Sequence, residues 1–205
     1  IAVVGNKGGA GKTTLSINLA AGLAKQYSIA VVDADPQGSA LQWRAFADHQ
    51  DTIPVFEASD AIAEQVAELL QDYHYVVIDC PPSVHAPQTN AVLEFGDLAL
   101  IPVQPSPVDL WATVHIEQAI DRAHATNPSL QAMLVINQIE TRTTLSRLVR
   151  EALSAIALPV ANTSLRRRAV YRNSALEGKS VYDMGRRGAD AVDELEQLIQ
   201  EVTSR

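Results

Sequence analysis

The sequence predicts an α/β fold: a doubly wound, mainly parallel sheet with helices on both faces. Three observations carry this. Strand-like and helix-like segments alternate along all 205 residues, the pattern of repeated strand–helix–strand units. Several strand segments, Ala30–Val32 and Val76–Ile78 among them, are continuous apolar runs, as strands covered on both faces should be. The first strand also runs directly into a glycine-rich loop and a helix start.

Strands are expected near 1–5, 28–33, 53–57, 75–79, 98–103, 132–137 and 158–161. Helices are expected near 13–26, 38–49, 60–72, 86–95, 109–126, 142–156, 166–177 and 187–203. No repeat, low-complexity stretch or linker-like composition breaks the chain, so residues 1–205 read as a single domain. Apolar residues make up 47% and charged residues 20%, ordinary for a globular protein. No apolar run approaches the roughly 20 residues of a membrane span, and no leader-like segment is visible. The lone Cys80 excludes an internal disulfide and a cysteine metal cage within one chain. A cytoplasmic location is expected.

The opening stretch is IAVVGNKGGAGKTT. After the β-branched run Ile1–Val4, Gly8, Gly9 and Gly11 let the backbone turn through positive φ and approach a ligand closely. Successive amides around Gly8, Gly9, Ala10, Gly11 and Thr14 then suit an anion, and the following helix adds free N–H groups and the positive end of its dipole. Lys12 is placed to reach the β- and γ-phosphates, and the Thr13 hydroxyl to ligate Mg²⁺. This is the context of a P-loop NTPase. The pattern GxxxxGK[ST] is broken at Asn6, while a second lysine, Lys7, sits inside the loop.

A second strand ends in Asp33, followed by Ala34, Asp35, Pro36, Gln37 and Gly38. Carboxylates at i and i+2 leave a strand on one side. One can hold the Mg²⁺ shell while the other faces the γ-phosphate and an attacking water. A third stretch, Tyr75 to Pro82, is an apolar strand ending in Asp79, a candidate second carboxylate for Mg²⁺. Cys80 reads as a small buried filler rather than a nucleophile. The five histidines show no metal-ligand spacing. Three prolines in Ile101–Asp109 make a stiff loop at the ligand edge of the sheet.

Net charge is −8, but it is unevenly spread. Residues 141–187 hold ten of the sixteen Lys and Arg and three of the twenty-four acids, a local +7 against −15 elsewhere. A partner feels such a patch rather than the mean. Arg147 and Arg150 share a helix face at i, i+3, and Arg166, Arg167, Arg168 and Arg172 follow. No element that reads bases is present, so the reading is sequence-independent contact with the DNA backbone.

Together, KGGAGKTT, DADPQG and VVIDCPPS resemble, in that order and across nearly the whole chain, the motifs of the ParA/MinD family of ATPases, in its short ParA form. The resemblance implies that Lys7 crosses a dimer interface to the partner's nucleotide. It implies that Asp35 positions or activates the water with Asp33 in support, and that Asn137 lies against adenine. It further implies a homodimer formed with ATP and Mg²⁺, non-specific DNA binding over the nucleoid, and a ParB-like or cargo-adaptor partner that stimulates slow hydrolysis. The cargo would be a plasmid, a chromosome or a microcompartment such as the carboxysome. The alternative within the family is a MinD-like membrane-associated positioning ATPase. Against it, the C-terminal helix is acidic where a basic amphipathic one would be needed. Two more functional classes share the fold: a metal-cluster scaffold ATPase, for which only Cys80 is available, and a dethiobiotin-synthase-like ligase.

Overall fold

The computed structural model describes residues 1–47, 53–140 and 156–204. Among the described residues, six strands form one wholly parallel sheet in the order β3-β2-β4-β1-β5-β6. The strands are β1 (Ala2–Val3), β2 (Ile29–Asp33), β3 (Val55–Glu57), β4 (Tyr75–Asp79), β5 (Leu98–Val103) and β6 (Gln131–Ile136). From β1 the chain runs out through β2 to β3, returns to lay β4 between β2 and β1, and crosses to β5 and β6, so the connections that leave the neighbouring strands β1 and β5 run in opposite directions. In such sheets the ligand crevice opens at this switch point, beyond the carboxyl ends of the strands.

Burial follows from the two-layer cover. Every residue of β2 and β5 is buried, as their continuous apolar runs require. Successive side chains enter opposite cores. On one face Val32, Ile78, Ile101 and Leu134 pack with α3 (Ile62–Leu69), α4 (Pro87–Leu93) and α5 (Pro107–Ala123). On the other, Val31, Val77, Leu100 and Met133 pack with α1 (Lys12–Leu23), α2 (Ser39–Ala45), α6 (Ala169–Leu176) and α7 (Ala189–Thr203).

Several expectations shift. The strand expected at 158–161 is reduced to a single parallel bridge, Leu134 with Val160. The helix expected over 38–49 stops at Ala45. A 3₁₀ helix, Val181–Arg187, precedes α7 and is kinked at Gly185, whose φ is +55°; only glycine takes that turn cheaply. The helix expected over 142–156, with Arg147 and Arg150, lies outside the described residues.

Candidate functional site

The loop after β1 enters α1 through Gly11, in the left-handed region at φ +89°, with Gly9 at +79°. A Cβ built on Gly8 or Gly9 meets no atom within 4 Å, so the space beside the loop is open, as an anion requires. Lys12 is buried, 6% exposed, and its Nζ donates to the Lys7 carbonyl at 3.1 Å. Burial holds its ammonium below the ordinary lysine range, against the pull of Asp79 and Asp35. The lysine expected at the β- and γ-phosphates is thus folded against its own loop, desolvated and beside carboxylates. Asn6, the departure from the common loop pattern, accepts from the Val84 N–H at 3.4 Å, tying the loop to the segment after β4.

Asp33 and Asp79 end neighbouring strands in register, and both are buried, 2% and 0% exposed. Their surroundings differ. Asp33 Oδ2 accepts from the N–H groups of Ala40 and Leu41 at 2.8 and 2.9 Å, and Oδ1 from Asp35 N–H at 3.2 Å. Both oxygens serve the first turn of α2 and the loop before it. Asp33, expected in the Mg²⁺ shell, thus also caps α2: free N–H groups at a helix start need an acceptor, and this strand end supplies one. Burial still raises its pKa, against those backbone hydrogen bonds.

Asp79 Oδ1 accepts from the Ser16 hydroxyl at 3.1 Å, while Oδ2 is buried with no hydrogen-bond partner among the described residues. Burial pushes its carboxyl up to about 7, against the opposing pull of the Thr13 and Ser16 hydroxyls and Lys12. A buried carboxylate oxygen without a partner is costly, and a divalent cation beside Thr13 is a partner of the right chemistry. The donor set of Thr13 and Asp79 therefore fits Mg²⁺. Asp35 is half-buried two residues beyond β2, with Oδ1 accepting from Gln37 N–H at 3.0 Å. Cys80 is fully buried and its thiol is pushed well up by that burial, as an inert filler should be.

Asn137, expected against adenine, donates from Nδ2 to the Ala10 carbonyl at 2.8 Å and accepts from Gln138 N–H at 2.9 Å. It holds the loop and lines a cleft with Gly11, Thr14, Gln138, Arg168 and Tyr171. Arg166, Arg167 and Arg172 border the same cleft, so the arginine cluster sits beside the phosphate loop. The Arg168 side chain is 21% exposed and bridges Glu194 at 2.7 Å and Asp190 at 2.8 Å, on α7. Arg166 and Arg167 are more than half exposed, paired with Glu194 at 3.4 Å and Glu140 at 3.0 Å. The carboxylate partners of the three lie 22 to 28 residues away in sequence, and no local spacing announces them.

Residues 1–181 match the model of the CobQ/CobB/MinD/ParA nucleotide binding domain. The chain belongs to this family. As a member it is a nucleotide-binding protein with the P-loop fold of ParA and MinD. It is 44% identical to the maintenance of carboxysome distribution protein A of Halothiobacillus neapolitanus, over 98% of this chain and 95% of that one. The Aquifex aeolicus cell division protein MinD superposes with a TM-score of 0.77 at 15% identity, covering 100% of this chain and 96% of that one. An ATP complex of a single-residue variant of Cyanothece McdA superposes with a TM-score of 0.73 at 16% identity, covering 99% and 95%. These two likenesses concern the fold.

Proposed function

We propose that the chain is a ParA-type ATPase that binds Mg-ATP, dimerises, holds DNA without sequence preference and positions a cargo, for which the carboxysome is the first choice. The observation that carries the ATPase reading is the buried Lys12 on an open glycine loop beside the unpartnered oxygen of Asp79. The carboxysome follows from likeness to the Halothiobacillus neapolitanus protein over nearly the full length of both chains.

Thr13 and Asp79 would hold Mg²⁺, which when bound polarises the phosphates. Lys12 leaves the Lys7 carbonyl for the phosphate oxygens. Asp35, on the turn anchored by Asp33, orients the attacking water. Lys7 reaches the partner subunit's nucleotide, so each site is complete only in the dimer, and hydrolysis is slow until a partner protein on the cargo stimulates it. Arg166, Arg167, Arg168 and Arg172, with Arg147 and Arg150, supply the basic face, and Arg168 ties it to α7. The protein would then work in the cytoplasm on the nucleoid.

Calorimetry with Mg-ATP tests the site. Lys12→Ala removes a charge-assisted contact to phosphate and should weaken binding about 10- to 100-fold; parental affinity sinks the assignment. Lys7→Ala should bind nucleotide but stay monomeric by light scattering, and its binding to random duplex DNA should weaken accordingly. For the parent, about six phosphate contacts per dimer imply a log–log salt slope of roughly −5. A flat salt dependence would remove DNA from the reading.

A further inference from the structure

We propose that Gln104 and Gln138 are positioning residues that clasp the phosphate loop, fixing the direction of the amides that meet the nucleotide's phosphates; this rests on the nucleotide-site reading above. Gln104 Nε2 donates to the Gly9 carbonyl at 2.6 Å, and Gln138 Nε2 donates to the same oxygen at 3.2 Å. A carbonyl has two lone pairs, and both are taken by side chains from outside the loop. Asn137 holds the next carbonyl, Ala10, at 2.8 Å.

The consequence follows from peptide geometry. In a trans peptide the C=O and the following N–H point in opposite directions. Holding the Gly9 carbonyl therefore aims the Ala10 N–H the other way, and holding the Ala10 carbonyl does the same for Gly11 N–H. Those are donors an anion-binding loop must present. A glycine loop is the part of the chain most able to flip its peptides, because its backbone wells are nearly equal in energy. A flipped Gly9–Ala10 unit would offer an oxygen where the anion needs a hydrogen.

The clasp has a built origin. Gln104 follows β5 and Asn137 follows β6, and Asn137 N–H donates to the Val103 carbonyl at 2.8 Å, so the two strand ends deliver their amides side by side. Gln138 has a φ of +56° and is the non-glycine residue in the left-handed region among the described residues. That conformation is strained for a side chain with a Cβ and persists only where its surroundings impose it. Here Asn137 Oδ1 takes the Gln138 N–H and Gly9 takes its side chain. Gly11 must be glycine for the same reason: a Cβ there would sit 2.5 Å from Asn137 Nδ2 and 3.4 Å from Gln138 Nε2. Gln138 also lines the cleft beside the loop, so what fills the cleft bears on the clasp.

Three variants of the full chain test this, each titrated with Mg-ATP and with inorganic tripolyphosphate, which has phosphates and no base. Gln104→Met removes a donor without adding charge. Gln138→Gly removes a donor and relieves the left-handed strain. The third combines both. Each single variant should weaken ATP about 3-fold, the loss of one ordinary hydrogen bond. The pair should lose more than the product, because either amide alone still holds the oxygen. Tripolyphosphate should weaken by the same factors, and thermal unfolding of Gln138→Gly should not fall below the parent. A merely structural residue would lower stability together with affinity. Parental ATP affinity in the double variant overturns the clasp, as does a loss confined to ATP, which would make Gln138 a base contact. Lys12→Ala run alongside separates the two readings. If it loses both ligands while the double variant keeps them, only the clasp falls; if it keeps them, the nucleotide site falls and the clasp with it.

Discussion

Asp33 and Asp79 are the same residue at the same place on adjacent strands, and they do opposite things. One is saturated by backbone donors and the other keeps an oxygen bare. What differs is the chain that follows. After Asp33 the turn runs into α2, and the free N–H groups of Ala40 and Leu41 come back to the carboxylate. After Asp79 come Cys80, whose N–H is taken by the Val3 carbonyl, and then Pro81 and Pro82, which have no N–H to give. The prolines leave the Asp79 oxygen without a backbone donor from the residues that follow. At a strand end, donor supply a few residues on decides whether a carboxylate becomes a helix cap or keeps an oxygen open.

The largest effect that could break this contrast is at Asp79. A carboxyl raised to about 7 from its ordinary range is stabilising when protonated, and that contribution is lost as pH rises from the ordinary carboxylate range through about 7. Asp79→Asn should therefore stabilise the nucleotide-free protein at pH 8, by at most about 4 kcal/mol, with the gap closing toward pH 4. It should also abolish Mg²⁺-dependent tightening of ATP. Denaturant unfolding at both pH values reads the first effect and calorimetry the second; a variant less stable than the parent at pH 8 would show that the oxygen is not bare.

Asp33→Ala should move stability the other way. It strands two N–H groups at the start of α2 and should cost about 2 kcal/mol, read by denaturant unfolding. Mg²⁺ affinity should survive better than in Asp79→Asn, and equal loss in both would make Asp33 a ligand after all. The smallest effect is at Ser16, whose hydroxyl is the donor to Asp79 Oδ1. Ser16→Ala should cost about 1 kcal/mol at pH 8 and less at pH 5, where Asp79 is protonated and the hydroxyl matters less. A pH-independent cost would mean that its contact with the Lys12 carbonyl dominates.

Much of this is legible in the residues alone. The strands at 29–33, 75–79 and 98–103 are readable to within a residue, because buried parallel strands are continuous apolar runs with sharp ends. The places of Lys12 and Thr13 at the helix start and of Asp79 at the strand end are readable because the loop pattern and the apolar run mark them. The role of Asp33 is not, since its donors lie seven and eight residues on. Gln104 and Gln138 carry no signal at all: an amide side chain is chemically unspecific, and nothing in a sequence announces a glutamine at positive φ. Arg168 looks like its two neighbours, and only the placement of Glu194 and Asp190 on α7 sets it apart.

The turn that Asp33 anchors carries its own optical gauge. Trp43 lies on α2, 9% exposed, its indole N–H donating to the Lys179 carbonyl at 3.0 Å across to the segment before the 3₁₀ helix. Trp111, on α5, is 71% exposed. The chain thus emits from one sheltered, hydrogen-bonded indole and one in water. A soluble quencher silences the second and leaves the first, whose colour and lifetime then follow any shift of α2, with no label attached.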